Sequence, residues 1–186
     1  ASGSGGNTDR CPVKKLAIVL GLAALLFACQ KESPGPVPPD PEPLLAIPPG
    51  FPSPVFPVGN EFSTERWALG KKLFYDPILS ADSTVSCASC HHLAYAFSDT
   101  VAFSPGIAGR PGVRNAPTLA NIAYHPYFTR EGGVPTLEMQ ILVPIQEHNE
   151  FDFNIVPLAA RLKSDSNYVH MSRAAYGREP DPFVIT

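Results

Sequence analysis

Two cysteines and a histidine at positions 87–91, in the order Cys-Ala-Ser-Cys-His, are the residues with the clearest chemistry in this chain. Thiols separated by two residues can form thioether bonds to the two vinyl groups of a porphyrin, and the next residue then lies under the iron. Cys87, Cys90 and His91 therefore predict a covalently attached c-type haem, with one ring nitrogen of His91 as an axial ligand of the iron.

Two other chemistries use paired cysteines at this spacing. A zinc site needs a second pair of ligands, and the other cysteines lie far upstream: Cys29 in a predicted signal segment and Cys11 in a leader with no assigned role. A redox-active dithiol is typical of a junction between a strand and a helix, which the surrounding sequence does not indicate. The remaining histidines are expected at the surface or in structural roles: His92, His125, His148 and His170.

One helical pattern precedes this motif and another follows it. Ser63 or Thr64 can cap a first helix, which Asp76-Pro77 ends. Thr136 can cap a second helix, which we expect to end near Pro144. Between residues 77 and 135 turn residues dominate and no alternating pattern persists, which argues against a sheet.

Two more helical patterns lie towards the C-terminus. One covers residues 157–163, and the next begins at Asp165 or Ser166 and ends at Gly177 as a C-cap. Four short helices joined by long loops give a thin core, so we expect a mainly α domain whose middle is filled by the haem.

Composition excludes some classes of function. The chain has 186 residues, a formal net charge of −3 and no run of Lys or Arg, which disfavours nucleic-acid binding. Its hydrophobic content of 44% is too high for a fully disordered chain. Proline is more than twice as frequent as the usual value of about 5%, with eleven of the 22 prolines in residues 34–57.

The N-terminal region predicts export rather than a folded domain. Lys14 and Lys15 precede an apolar run over 16–27, which is typical of a secretory signal, and Cys29 is predicted to become lipidated as in a bacterial lipoprotein. Residues 1–13 are an unexplained leader, and plain signal cleavage is the alternative to lipidation. Residues 30–57 predict an extended tether of ~3.1 Å per residue, which would hold a periplasm-facing domain off the membrane.

Several motifs in fixed order carry a resemblance to a known family. They are Leu-Gly-Lys-Lys-Leu-Phe-Tyr-Asp-Pro at 69–77, Leu-Ser at 79–80, the motif at 87–91, Ala-Phe-Ser-Asp at 96–99, Gly-Val-Arg-Asn-Ala-Pro-Thr at 112–118 and Leu-Glu-Met-Gln at 137–140. Over residues 62–186 the chain resembles bacterial di-haem cytochrome c peroxidases, whose family includes MauG-type enzymes that oxidise protein tryptophans. The resemblance implies two cytochrome c-like domains with one haem each, the N-terminal haem being the peroxidatic one. Because one haem motif is present, residues 58–186 are expected to be the first of the two domains, and the chain is expected to be a fragment.

The resemblance also implies roles for individual residues. Gln140 and Glu150 match the two polar residues above the peroxidatic haem, where a shielded carboxylate can move a proton between the peroxide oxygens. Arg114 and Arg110 are candidates for pairing with haem propionates, and the alternative for both is a position at the surface. Asn115 matches a position that helps to hold calcium between the two domains.

The chain departs from the family pattern at two places. Many members have a histidine before the Arg-Asn pair that binds the peroxidatic iron in the resting oxidised state, and here the matching position is near Ile107. We therefore expect an open or water-bound sixth position that needs no reductive activation. At residues 129–133 relatives often carry a tryptophan between the haems, and Arg130 stands in its place, so a tryptophan relay is not expected and Trp67 is not assumed to replace it.

The expected activity is reduction of hydrogen peroxide to water with electrons from a small cytochrome c or a copper protein. Two alternatives remain open: a MauG-like oxidase of a partner protein's side chain, and a simple electron carrier with one haem and Met139 or Met171 as the sixth ligand. If Gln140 faces the haem, its neighbour Met139 does not, because adjacent helical residues point to different faces. The oligomeric state stays open, a homodimer included.

Overall fold

A computed structural model describes residues 44–186, which belong to one compact unit. The predicted leader, the signal segment with Cys29 and the first part of the tether, residues 30–43, lie outside the described residues. Within residues 44–186, no helix combines the length and the apolar character that crossing a membrane requires.

From residue 58 onward the fold consists of short helices and turns. The α-helices are α1 (Thr64–Tyr75), α2 (Leu137–Gln140), α3 (Leu142–Gln146), α4 (Ile155–Lys163), α5 (Ser166–Tyr176) and α6 (Pro182–Ile185). The 3₁₀ turns are Pro77–Leu79, Cys87–Ser89, Leu93–Tyr95, Ile107–Gly109 and Ile122–Tyr124. The described residues form isolated β-bridges but no strand, so the predicted mainly α fold is confirmed.

Local capping residues define the two longest helices. The Ser63 hydroxyl accepts the Arg66 amide at 3.2 Å and begins α1. The Asp165 carboxylate accepts the Asn167 amide at 2.8 Å and begins α5, which ends at Gly177 with φ +68°. These starts and stops agree with the sequence, because each cap satisfies helix-end groups that have no partner within the helix.

Prolines do not end the helices where the sequence suggests. The helix predicted to stop near Pro144 is divided at Ile141, and its second part, α3, continues to Gln146. Pro144 is the third residue of α3, and Pro157 is likewise the third residue of α4, which begins at Ile155. Both prolines are tolerated because amides in the first helical turn have no intrahelical acceptor to lose.

One hydrophobic core lies between the terminal helices. Helix α1 packs against α5 and against the 3₁₀ turn Cys87–Ser89, while α4 packs against α5 and α6. The buried residues of this core are Leu69, Leu73, Leu79, Val85, Ile145, Phe151, Leu158, Ala159, Leu162, Tyr168, Ala175, Val184 and Ile185. Between Val85 and Ile145, all of which the structure describes, the buried apolar residues are Ile107 and Phe128 alone. The loops that carry the predicted site therefore have a thin core of their own.

Arg161 fixes the turn that leads into the cysteine motif. Its guanidinium donates to the carbonyl oxygens of Ile78 at 2.9 Å, Ser80 at 2.6 Å and Ala81 at 2.9 Å. The same group lies over the Phe153 ring, 4.1 Å from the centroid. A planar guanidinium suits this position because its donors point in fixed directions.

The last part of the proline-rich stretch contacts the domain. The Phe51 ring lies 5.1 Å from the Tyr124 ring in an edge-on arrangement, and the Tyr124 hydroxyl donates to the Pro52 carbonyl at 3.0 Å. Residues 51–52 are therefore attached to the fold.

Candidate functional site

The cysteine motif begins on a 3₁₀ turn held by its own side chains. The Ser89 hydroxyl accepts the Ser86 amide at 3.1 Å, and the His91 amide donates to the Cys87 carbonyl at 3.0 Å. Cys87 packs against the hydrophobic core, and both thiols are free. Because α1 packs against this turn, the core fixes the backbone from which Cys87 and Cys90 project.

The orientation of the His91 ring leaves one nitrogen available. Its Nδ1 lies 2.7 Å from the Phe97 carbonyl oxygen. A carbonyl only accepts, so Nδ1 carries the proton and the Nε2 lone pair is left for a metal. Ala96 and Phe97, at φ +55° and +59°, turn the chain back so that this carbonyl reaches the ring.

The two thiols lack the character of a reactive dithiol pair. Burial raises the pKa of the Cys87 thiol to about 12, and burial also raises the pKa of Cys90. Redox-active cysteines instead have lowered pKa values and exposed thiolates. The buried thiols thus argue against dithiol redox chemistry at this motif.

Glu150 lies beside the motif on a turn between α3 and α4. Its amide donates to the Glu147 carbonyl at 3.0 Å, and its carbonyl accepts the Ile107 amide at 2.9 Å. Burial, and secondarily the charge of Glu147, raises the pKa of the Glu150 carboxyl. The negative charge of Glu150 also contributes to the raised pKa of both thiols, so the carboxyl lies close enough to the motif to affect its charges.

Gln140 ends α2 with an unsatisfied polar atom. Its Oε1 is buried and has no hydrogen-bond partner among the described residues, while the neighbouring Met139 side chain is 51% exposed. The two residues thus point in different directions, as predicted. Met171, the other candidate sixth ligand of a simple carrier, packs against the hydrophobic core. An unpaired buried amide oxygen is costly unless a bound group or water satisfies it.

The remaining predicted site residues lie at the surface. Arg114 is exposed and forms an ion pair with Glu131, and Asn115 is also exposed. Arg130, at the position where relatives often have tryptophan, is exposed as well. In the part of the chain that the structure describes, no group of three His, Cys, Asp or Glu side chains is placed to hold a metal ion. The propionate role of Arg114 and the calcium role of Asn115 stay predictions.

Sequence reasoning missed a polar cluster next to Glu150. Arg110 donates to Asp152 Oδ2 at 2.7 Å and contacts His148 Nε2 at 3.0 Å. His148 was expected to be structural or solvated, and the structure gives it this partner. No local pattern relates Arg110 to residues that lie far along the chain, so the sequence carries no signal for the cluster.

The side chains at this site fit a covalently attached haem. Two free thiols project from a fixed turn, His91 Nε2 is available to a metal, and the Gln140 oxygen has no protein partner. Haem c needs two thiols and an axial nitrogen, and the chemistry of this donor set supplies both.

A family model described as di-haem cytochrome c peroxidase matches residues 64–186. The methylamine utilization protein MauG of Methylorubrum extorquens is 32% identical over 123 residues, which are 66% of this chain and 35% of that protein. The cytochrome c551 peroxidase of Pseudomonas aeruginosa is 32% identical over 124 residues, which are 67% of this chain and 36% of that protein. The chain thus spans about a third of the length of both relatives.

The fold is similar to that of a solved protein. The crystal structure of a MauG-like protein associated with microbial copper homeostasis superposes with a TM-score of 0.69 at 32% identity. The match covers 75% of this chain and 43% of that one.

Proposed function

The chain belongs to the di-haem cytochrome c peroxidase family, and from this premise we propose that the haem-loaded protein reduces hydrogen peroxide to water with electrons from a small cytochrome c or a copper protein. The observation that carries the proposal is the half-buried Glu150 carboxyl with a raised pKa beside the Cys-His motif. The unpaired Gln140 Oε1 supports the proposal, because an amide oxygen without a protein partner can accept a hydrogen bond from a bound peroxide.

The haem would be held by three residues of this chain. Cys87 and Cys90 would form the thioether bonds, and His91 would bind the iron through Nε2 while Phe97 keeps its Nδ1 proton in place. When bound, the haem supplies the iron that binds peroxide and the electrons that cleave the O–O bond.

Glu150 would transfer the proton that peroxide cleavage requires, and Gln140 would orient the peroxide. Cleavage of peroxide is easier when the departing oxygen leaves as water, so one proton must pass from the bound oxygen to the leaving oxygen. A carboxyl with a raised pKa is suited to this step, because burial favours its neutral form and lets it both accept and return a proton. Gln140 would orient the peroxide without adding charge.

Ile107 concerns the sixth coordination position of the haem iron. It is buried beside Glu150, near the position where the family resemblance places an iron-binding histidine in many members. An isoleucine cannot ligate iron, so we propose a sixth position that is open or water-bound in the oxidised protein, with no need for reductive activation. This feature, with the MauG relative, also favours a second candidate function, oxidation of a side chain of a partner protein.

Peroxide turnover by the full-length, haem-loaded protein tests the proposal. With reduced cytochrome c as donor, the wild type should consume peroxide, and Glu150→Gln should lose about 10²–10⁴-fold in rate at unchanged haem content. Glu65→Gln is the matched control, because Glu65 is exposed in the first turn of α1. Full activity of Glu150→Gln would remove the proton-transfer role. No turnover by the wild type with any small donor would refute the peroxidase function.

Three optical and kinetic results separate the candidates. A purely low-spin bis-histidine spectrum of the oxidised protein would contradict the open sixth position. Peroxide-dependent oxidation of a protein partner without donor oxidation would favour the second candidate. A single haem by pyridine haemochrome, with Met139 or Met171 ligation and no turnover, would favour the electron carrier.

We also propose that the protein is lipidated at Cys29 and faces the periplasm, and that Asn115 contributes to a calcium site. The basic and apolar pattern of residues 14–29 supports the first proposal, and the amide oxygen of Asn115 suits calcium. Labelling with a radioactive fatty acid should mark the wild type and not Cys29→Ala. A chelator should lower the thermal midpoint of the wild type and not that of Asn115→Ala.

A further inference from the structure

Two loops that are far apart in sequence, residues 104–112 and 147–152, join beside Glu150. The Ile107 amide donates to the Glu150 carbonyl at 2.9 Å. Gly106 is in such close contact that a Cβ atom there would lie 2.8 Å from the Glu150 Cα. The first loop therefore contacts the very residue whose carboxyl is proposed to move the proton.

A closed set of side-chain contacts reinforces this junction. Arg110 donates to Asp152 Oδ2 at 2.7 Å and to His148 Nε2 at 3.0 Å. Because arginine only donates, His148 Nε2 accepts and its proton lies on Nδ1, which is 3.2 Å from Asp152 Oδ1. Arg110, His148 and Asp152, here named the Arg110 latch, thus each contact the other two.

The latch holds a backbone conformation that needs support. Asp152 has φ +49°, in the left-handed region that residues other than glycine rarely adopt. Its amide donates to the Glu147 carbonyl at 3.0 Å, which closes the turn around Glu150. Such a conformation persists when surrounding contacts over-determine it. The hydrogen bond from Arg110, followed by that from His148, also lowers the pKa of Asp152, so the carboxylate stays charged.

We propose that Arg110, with Asp152 and His148, is a positioning residue that fixes the Glu150 turn and so places the Glu150 carboxyl for proton transfer. The inference rests on the proposed function. The two terminal nitrogens of Arg110 bind His148 and Asp152, while its buried Nε has no hydrogen-bond partner among the described residues.

The first experiment measures peroxide reaction rates of the full-length, haem-loaded protein. Arg110→Ala should lower the rate about tenfold at unchanged haem content, because a small displacement of a reacting group has a large effect on rate. Arg110→Lys, which keeps the charge and one contact, should recover part of this loss. Arg173→Ala is the matched control, because Arg173 pairs with Glu179 at 2.8 Å on the exposed side of α5. Its rate should equal that of the wild type.

A double-mutant cycle then separates positioning from general damage. If Arg110 acts through Glu150, then Arg110→Ala should change the rate of Glu150→Gln by less than about twofold. An equal loss in both backgrounds would overturn the proposal, because it would show that Arg110 acts independently of Glu150. Asp152→Asn, which tolerates a positive φ, should give a smaller loss of the same kind and guards against misfolding of the alanine variant.

A readout that does not depend on activity is amide hydrogen exchange at Ile107. Loosening the latch should speed exchange of this amide at least about fivefold in Arg110→Ala and leave it unchanged in Arg173→Ala. Unchanged exchange, or loss of haem from Arg110→Ala, would overturn the positioning role. Full activity of Glu150→Gln combined with faster Ile107 exchange in Arg110→Ala would instead refute the proposed proton transfer and leave the latch as a structural link.

Discussion

A methyl group added at Gly106 should displace the turn that carries Glu150. In Gly106→Ala the new Cβ would lie 2.7 Å from the Asn149 carbonyl carbon and 2.8 Å from the Glu150 Cα, and both neighbours are backbone atoms. Gly106 has φ −94°, which alanine adopts, so the predicted effect arises from this contact and not from the backbone angle.

The size of the effect follows from the distances. Ordinary contacts between carbon atoms are about 3.5–4.0 Å, so the two loops must separate by roughly 1 Å. The hydrogen bond from the Ile107 amide to the Glu150 carbonyl, now 2.9 Å, would then be lost. Overpacking costs about 1–3 kcal/mol and a lost hydrogen bond about 1 kcal/mol. We therefore expect the free energy of unfolding to fall by about 2–4 kcal/mol.

Two assays on the full-length, haem-loaded protein check this prediction. The thermal midpoint should fall by about 5–15 °C. The peroxide reaction rate should fall by about 10²-fold, because a displacement of 1 Å can cost that much. Gly70→Ala is the matched control for stability: Gly70 is an exposed residue inside α1, and a Cβ there would meet nothing within 4 Å. It should raise the free energy of unfolding by about 0.5–1 kcal/mol.

The reasoning would be refuted by a Gly106→Ala protein with the thermal midpoint of the wild type and a reaction rate within about twofold of it. A fall in both variants would also contradict it, because the loss would then follow from replacing any glycine. A lower midpoint with a normal rate would show that the turn does not place the Glu150 carboxyl.

Three further predictions concern other parts of the site. Burial disfavours the ionised carboxylate of Glu150, so the free energy of unfolding should decrease as pH rises from the ordinary glutamate pKa of 4.5 through the raised pKa of the folded state. Glu150→Gln should therefore have a higher thermal midpoint than the wild type at neutral pH and the same midpoint in acid. Equal midpoints at every pH would contradict the raised pKa. His91→Gly should keep its haem through the thioethers but show an altered absorption spectrum that added imidazole restores, and a spectrum insensitive to imidazole would argue against His91 as the ligand. Arg161→Met should lower the free energy of unfolding in urea by about 3 kcal/mol, since three carbonyl oxygens lose a charged donor, while Arg173→Met should change it by less than about 0.5 kcal/mol; equal effects would be inconsistent with the Arg161 contacts.

Features that depend on near neighbours could be predicted from the sequence. Ser63, Asp165 and Gly177 begin or end helices through contacts within four residues, and the structure places them as predicted. The motif at 87–91 is also local, since its chemistry lies in its spacing. The end of the helix near Pro144 was predicted incorrectly, because the division at Ile141 places this proline in a first helical turn, where it is tolerated.

Features that depend on distant partners could not be predicted. Arg161 and the Ile78 carbonyl meet across 83 positions, and Arg110 and Asp152 across 42. Nothing in the residues around either arginine identifies its partner, because an arginine in a surface ion pair and one that links two distant segments have the same kind of sequence neighbours. The family resemblance predicted the roles of Gln140 and Glu150. The burial of Gln140 Oε1 and the raised pKa of Glu150 became visible only in the folded structure.

The contact of Tyr124 with Phe51 and Pro52 marks the point at which the proline-rich stretch becomes part of the folded domain. If Cys29 is lipidated as proposed, the length of chain that separates the anchor from the domain ends at this contact. Residues 51–52 are matched to one tyrosine side chain, through the edge-on rings and the hydroxyl hydrogen bond at 3.0 Å. A shift of one residue in the register there would break both contacts, so any spacer role of the proline-rich stretch ends where this packing begins.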